Sequence, residues 1–127
     1  MNSLDDNKTT GLIGELLVQL RLLEHGVQAA PPMEDSGNDL IAIKGEVFKA
    51  IQVKTTEGDE TPKYNPANRV YHLLAIVRLV RHGRYLLDKT PIYLVPIEEM
   101  NALPTSIAKI NRRYLMGNRL IQRYFTC

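Results

Sequence analysis

Apolar positions at the start of the chain recur with the period of an α-helix. The spacings are four, four, three and four residues, and the positions are Leu12, Leu16, Leu20, Leu23 and Val27. Thr9 and Thr10 are suitable helix caps, Gly26 favours a helix end, and the following proline pair at 31 and 32 prevents continuation. The pattern therefore predicts one helix over about residues 10 to 25, with the leucine stripe as its buried face.

The next segment alternates with the period of a β-strand. Residues 39–43 are apolar after Asp39, residues 44–46 form a turn pattern, and residues 47–54 predict a second strand. This is the pattern of a β-hairpin. Because side chains alternate along a strand, Gln52 and Lys54 are predicted to share one face.

Further along, residues 72–80 are almost continuously apolar, which is typical of a central strand buried on both faces. Residues 81–87 predict a turn and a short return, and residues 91–95 predict one more strand. Residues 57–70 are rich in turn formers and predict a long exposed loop.

The last part of the chain changes in character. Pro96 and the acids after it indicate a short helix start. Beyond Pro104 the chain is basic and predicts one or two amphipathic helical pieces, broken at Gly117. The helix, hairpin and buried-strand order indicates an α/β domain in which the strands that begin at Asp39 and end at Lys54 are antiparallel neighbours.

Charge is distributed unevenly. Residues 1–60 hold 5 Lys/Arg against 11 Asp/Glu, a net −6, whereas residues 61–127 hold 11 against 3, a net +8. One interpretation is an enzyme that gathers carboxylates for a metal and keeps cations for a polyanion. The other is an uneven surface that arose by chance, and the charges alone do not separate the two.

Length and composition narrow the class. A chain of 127 residues fits a single domain, residues 1–127, with a core of its own. The only cysteine, Cys127, excludes an intrachain disulfide and a cysteine-based zinc cluster, and suits a reducing compartment. The chain has no signal-peptide pattern and no bilayer-length apolar run, so it is expected to be cytoplasmic, with no membrane partner.

Common enzyme motifs are absent: the histidines lack metal-site spacing, and there is no GxSxG and no phosphate-binding GxxxxGK[ST] loop. What remains is Glu15 on the first helix, Asp39 opening a strand, and Gln52-Val53-Lys54 ending its hairpin partner. Each has an ordinary interpretation, as a solvated helix flank, a turn acceptor and a frequent tripeptide, so only their combination is informative.

In order and spacing, the segments GELLVQLRLLEHG, SGNDLIAI and FKAIQVKTT resemble the PD-(D/E)xK nuclease superfamily, particularly archaeal Holliday junction resolvases and the homing endonucleases with a QxK motif. The resemblance covers the chain to about residue 56. It implies a restriction-endonuclease-like mixed β-sheet flanked by helices, with an αβββ core, a further strand and a C-terminal helix. Two departures are Gln52 in place of the usual acid and Asn38 in place of proline.

The resemblance implies a catalytic set of Glu15, Asp39, Gln52 and Lys54, and metal ligands Glu15, Asp39, Gln52 and the Val53 carbonyl. Carboxylate, amide and carbonyl oxygens are hard ligands that suit Mg²⁺ or Mn²⁺. Lys54 would supply a cation beside the attacking water or the phosphate. The expected activity is metal-dependent hydrolysis of phosphodiester bonds in DNA, structure-specific in some branches of the family.

Other residues are candidates for contact with nucleic acid, although several are equally explained as turn or surface residues. They are Ser36, Asn38, Thr55, Lys63, Arg69, Arg112, Arg113, Arg119 and Arg123. Cutting both strands of a duplex needs two active sites or two visits, so a homodimer is attractive, but no sequence stripe identifies an interface. The alternative function is a non-catalytic module that retains the nuclease fold to bind nucleic acid or a protein.

Overall fold

The computed structural model describes residues 6–34, 39–63 and 71–126, with side chains from residue 8. The first half contains α1 (Asp6–Glu24), β1 (Gln28–Ala30), β2 (Leu40–Lys44) and β3 (Val47–Thr56). The second half contains β4 (Leu73–Arg78), β5 (Arg81–His82), β6 (Arg84–Tyr85), β7 (Ile92–Pro96) and α2 (Asn118–Tyr124).

Five strands form one mixed sheet in the order β1-β2-β3-β4-β7. The β3–β4 pair is parallel, and the other neighbours are antiparallel. The predicted hairpin of β2 and β3, the strand β4 and the strand β7 are all confirmed, and so is the α/β class with a mixed sheet flanked by helices. The edge strand β1 was not predicted, because a strand of three residues is too short to show a period.

Both faces of the sheet are covered. On one face, α1 and α2 pack over a core that includes Leu40, Ile51 and Ala75. On the other face, a second core that includes Leu74 and Ile76 lies under the short 3₁₀ turns at 97–102, 107–109 and 112–114. As predicted, β4 is buried on both faces, since its alternating residues enter both cores.

The predicted orientation of α1 is wrong. Leu12, Leu16, Leu20 and Leu23 are 52–60% exposed, whereas the helix buries Gly14, Leu17, Val18 and Leu22 against the sheet. The helix carries apolar residues on two opposite faces, so periodicity alone cannot say which one meets the sheet. Val27 is buried as predicted, but it lies beyond the end of the helix.

The remaining segments differ in detail. Residues 81–85, predicted as a turn and return, form a separate two-stranded hairpin, with Gly83 at a φ of 75° in its turn. The basic tail has two short 3₁₀ turns and then α2, which begins after Gly117. Within the described parts of the chain, no helix combines the length and apolar composition that crossing a membrane requires.

Candidate metal site

The first element of the site is a close approach between α1 and β3. A Cβ atom added at Gly14 would lie 1.7 Å from Thr55 Oγ1, far inside van der Waals contact. Only glycine at this position lets the helix backbone lie directly against the strand. The side chain of the next residue, Glu15, is thereby brought to the β3 side of the helix.

Asp39 is fixed where β2 begins. Its backbone N–H donates to the Ile51 carbonyl at 3.0 Å, and its Oδ2 accepts from the backbone N–H of Val53 at 2.8 Å. The antiparallel register pairs Leu40 with Ile51, so one residue further along the ladder Asp39 lies beside Gln52. The backbone of β3 therefore orients the Asp39 carboxylate.

Glu15 and Asp39 are brought together across the helix–strand junction. The pKa of Glu15 lies above its usual value because partial burial disfavours the carboxylate, because Asp39 repels its negative charge, and because the two side chains hydrogen-bond. Two carboxylates that meet with no cation between them favour a proton on one of them. The same arrangement favours a divalent cation, which would neutralise both.

Gln52 lies in β3 and is buried, with only 7% of its surface exposed. Its Oε1 is buried and has no hydrogen-bond partner. A buried acceptor with no partner is uncommon, and a bound ion or water would satisfy it. Lys54 is two residues further along the same strand, on the same face, and is half-buried.

The donor set fits a hard cation. Two carboxylates and one unsatisfied amide oxygen are the ligand types that Mg²⁺ and Mn²⁺ take, with waters and substrate completing the shell. Across the described ranges 6–34, 39–63 and 71–126, no group of three or more His, Cys, Asp or Glu side chains could hold a metal. A site here would therefore depend on Gln52 in addition to the two acids. The role of the Val53 carbonyl stays a prediction.

The residues predicted to contact nucleic acid differ in how accessible they are. The Thr55 hydroxyl is buried against Gly14, where it does not meet solvent. Lys63 is exposed beside a cavity that Glu60 and Pro104 also line. Ser36, Asn38 and Arg69 lie outside the described residues.

The four arginines of the C-terminal segment are all exposed: Arg112, Arg113, Arg119 and Arg123. Arg113 already has partners, since it donates to the Tyr114 hydroxyl at 2.8 Å and lies 3.6 Å from a Glu99 carboxylate oxygen. Arg123 lines a cavity together with Lys49 and His72. Arg112 and Arg119 are the better candidates for phosphate contact among them.

The sequence prediction missed Gly14 as a positioning residue. A signal was present, because a glycine inside a helical pattern costs helix stability and usually has a packing or functional reason. Gly11 gives the same signal without the same role, since a Cβ there would meet nothing within 4 Å. Only the approach to Thr55 distinguishes the two glycines.

Comparison with known proteins supports the fold assignment. No family model matches the chain, and no curated protein matches it. Among solved structures, the fold is similar to that of a bacterial homing endonuclease, I-Ssp6803I, with a TM-score of 0.57 and 15% sequence identity. The alignment covers 81% of this chain and 77% of that one. The chain therefore has a nuclease-like α/β fold.

Proposed function

We propose that this chain is a metal-dependent endonuclease that hydrolyses phosphodiester bonds in DNA. The observation that carries the proposal is the Glu15–Asp39 carboxylate pair at the start of β2. Gln52 is the neighbour of Asp39 across the β2–β3 ladder, and its side-chain oxygen is buried without a hydrogen-bond partner. Asp39 accepts one hydrogen bond from the Val53 N–H, and the Glu15 carboxyl group has the Asp39 carboxylate as its side-chain partner.

Each residue of the set has a separate task. Glu15, Asp39 and Gln52 would hold Mg²⁺ or Mn²⁺ through oxygen, and the Val53 carbonyl would be the fourth protein ligand. Such an ion, when bound, lowers the pKa of a coordinated water and offsets negative charge on phosphate. Lys54, on the Gln52 face of β3, would supply a positive charge to the phosphate as it gains negative charge, and Val53 N–H keeps Asp39 oriented.

The proposed substrate is DNA, and the experiment below tests whether cleavage requires branched or distorted sites. The likeness to a homing endonuclease supports an endonuclease acting on DNA, and the exposed arginines of the later half supply cations for the backbone. In this proposal Arg112 and Arg119 are principal phosphate contacts, because both are exposed and Arg113 is held by its neighbours.

A second candidate is a non-catalytic module that binds nucleic acid or a protein with the same fold. The observation that favours it is Gln52, which ligates through oxygen but contributes no charge, so the site holds a divalent ion less strongly than three acids would. The two candidates differ in one measurable respect, since only the enzyme breaks phosphodiester bonds.

The deciding experiment incubates the parent chain with linear, nicked, branched and single-stranded DNA in Mg²⁺, Mn²⁺ or EDTA. The enzyme hypothesis predicts cleavage with either ion, none with EDTA and none by Asp39→Asn purified in the same way. Metal-dependent binding of DNA without cleavage of any substrate would favour the non-catalytic module. Cleavage that survives in Asp39→Asn would indicate a contaminant.

A further inference from the structure

A small hairpin follows β4 and contributes no residue to either core of the protein. It consists of β5 and β6, and its residues 81–84 are all exposed. Gly83, with a φ of 75°, makes the tight turn between the paired residues His82 and Arg84. A two-stranded hairpin of this length is marginally stable at best by itself, so neighbouring parts of the chain must hold it.

The base of the hairpin is braced by a buried polar side chain. Thr90 is buried, and its hydroxyl accepts from the Val80 N–H at 3.1 Å and donates to the Leu86 carbonyl at 2.9 Å. The Leu86 N–H also donates to the Val80 carbonyl at 2.8 Å, which joins the two legs directly. The hairpin is thus an exposed segment on a rigid support, and binding residues are most often found on such segments.

The hairpin is also tied to the strand that carries Lys54. The Leu79 N–H donates to the carbonyl of Thr56, the last residue of β3, at 2.8 Å. The Arg81 guanidinium donates two hydrogen bonds of 3.0 Å to the carboxylate of Glu57, the residue after β3. Glu57 is three residues beyond Lys54, a distance of about 10 Å along extended chain. These bonds fix the position of the hairpin relative to the candidate metal site.

The arginines in and beside the hairpin differ in their partners. Arg78 lies 3.0 Å from an Asp59 carboxylate oxygen, and Arg81 lies 3.0 Å from Glu57, so both positive charges are met within the chain. Arg84 is exposed, and its side chain has no ion pair or hydrogen bond within the part of the chain that the structure describes. Arg81 therefore holds the hairpin in place, and Arg84 is the arginine that it presents to a polyanion.

We propose that the β5–β6 hairpin contacts the phosphate backbone of DNA through Arg84, on the side of the cleaved bond that lies beyond the end of β3. The contact rests on the proposed function, because it takes DNA as the ligand and Lys54 as the group beside the reacting phosphate. Each nucleotide of a duplex strand advances about 3.4 Å along the axis, so a hairpin that begins about 10 Å from Lys54 reaches the strand about three to five nucleotides from that phosphate. Arg81 is a positioning residue in this arrangement.

The first experiment measures binding of a fluorescent duplex of about 30 base pairs by anisotropy, in EDTA, from about 0.05 to 0.3 M salt. Loss of one phosphate contact lowers the slope of log affinity against log salt by about 0.9. Arg84→Ala should therefore lower the slope by that amount and weaken binding about five- to tenfold at 0.1 M salt, and Arg84→Lys should restore most of both. Circular dichroism checks that each variant is folded.

Lys44→Ala is the matched control. Lys44 pairs with Val47 at the opposite end of β3, so removing its charge tests whether any lost cation has the same effect. This variant should bind the duplex like the parent, with the parental salt slope.

The second experiment locates the contact on the DNA substrate that the parent cuts. Single phosphates near the cut are replaced by neutral methylphosphonates, and binding is again measured in EDTA. Neutralising one phosphate about three to five nucleotides from the cut should weaken binding by the parent. The same replacement should have no further effect on Arg84→Ala, because both changes remove one contact.

The outcomes separate this contact from the proposed enzyme. A parental salt slope in Arg84→Ala, an equal loss in Lys44→Ala, or a parent that does not bind duplex DNA at the lowest salt would overturn the hairpin contact. Arg84-dependent binding without cleavage of any substrate would refute the enzyme and keep the contact. Cleavage by the parent, with a parental slope in Arg84→Ala, would keep the enzyme and refute the contact.

Discussion

Two carboxylate sites in this molecule have opposite electrostatics. Asp59 is satisfied by its own chain: the Ser106 hydroxyl donates to its Oδ2, the Ala108 N–H donates to its Oδ1 at 2.9 Å, and Arg78 lies 3.0 Å away. These hydrogen bonds, Ser106 first and Ala108 second, hold the pKa of Asp59 below its usual value. Burial and the Asp39 charge move the pKa of Glu15 in the other direction.

The difference separates a structural acid from a candidate functional one. The Asp59 carboxylate ties the segment after β3 to the segment before the 107–109 turn, and needs nothing from outside. The charge of Asp39 disfavours ionisation of Glu15, and the close approach of α1 to β3 at Gly14 brings the two carboxyl groups together. Perturbed carboxyl pKa values of this kind cluster at functional sites.

The largest expected effect is on cleavage. Asp39→Asn and Lys54→Ala should each lower the Mg²⁺-dependent cleavage rate by about a hundredfold or more, because each deletes a strong electrostatic contact at the reacting phosphate. Asp59→Asn, which makes the same chemical change at the satisfied site, should cut at close to the parent rate. Single-turnover rates of the purified variants provide the measurement. An Asp59→Asn variant as inactive as Asp39→Asn would erase the distinction between the two sites.

The second effect concerns the packing that enforces the Glu15–Asp39 contact. Gly14→Ala should lower the free energy of unfolding by about 1–3 kcal/mol, because its Cβ must displace Thr55 or push α1 away from β3. Cleavage should fall too, since Glu15 would move with the helix. Denaturant unfolding followed by circular dichroism measures the first quantity, and cleavage rates measure the second.

Gly11→Ala is the matched control for that substitution. A Cβ at residue 11 meets nothing, so alanine there should stabilise the helix by up to about 1 kcal/mol. Adding Thr55→Ala to Gly14→Ala removes the 1.7 Å contact and should restore part of the lost stability. Equal stability of the Gly11→Ala and Gly14→Ala proteins would show that the close approach does not constrain the helix.

The sequence predicted what depends on local period and missed what depends on contact between elements. The β2–β3 hairpin and the buried strand β4 follow from alternation and from an apolar run. The orientation of α1 did not follow, because Leu16 and Leu17 lie on different faces that are both apolar. The choice between them is made by the fit of Gly14 to Thr55, which joins residues 41 positions apart in the chain.

The candidate site was predictable only as a set of residue types in order. Spacing singled out Glu15, Asp39 and Gln52, but neither the bond from Val53 N–H to Asp39 nor the missing partner of Gln52 Oε1 can be read from a pattern. The satisfied state of Asp59 was equally hidden, because Ser106 is 47 residues away. Identical carboxylates acquire different roles only through such long-range partners.

A smaller effect is expected from adding charge to the site. Gln52→Glu should lower the Mg²⁺ concentration for half-maximal cleavage by about several-fold, because a third carboxylate attracts a divalent ion more strongly. Maximal cleavage at saturating Mg²⁺ should be preserved. Gln122→Glu, an exposed glutamine on α2, is the control and should leave the Mg²⁺ titration unchanged. A Mg²⁺ titration of Gln52→Glu that coincides with the parent's would remove Gln52 from the ligand set.

The smallest expected effect is on the pH dependence of stability, where Glu15 and Asp59 should act in opposite directions. The measurement is the melting temperature in EDTA from about pH 3 to pH 7. The raised pKa of Glu15 means that the folded state holds its proton more tightly than the unfolded state. The Glu15 carboxyl group therefore contributes stability at pH values below its unfolded-state pKa of 4.5. That contribution is lost as pH rises through its folded-state pKa. Glu15→Gln should accordingly melt higher than the parent at neutral pH, by about two degrees or less, and match it in acid.

Asp59 should behave in the reverse sense. Its lowered pKa means that its contribution is present above the unfolded value of 3.8 and is lost as pH falls through the folded pKa. Asp59→Asn should therefore melt lower than the parent at neutral pH, and the difference should narrow below about pH 4. Because both substitutions replace a carboxyl with an amide, the opposite signs would come from the partners alone. Two variants that shift the melting temperature in the same direction at pH 7 would contradict the assignment of one acid to the fold and the other to the site.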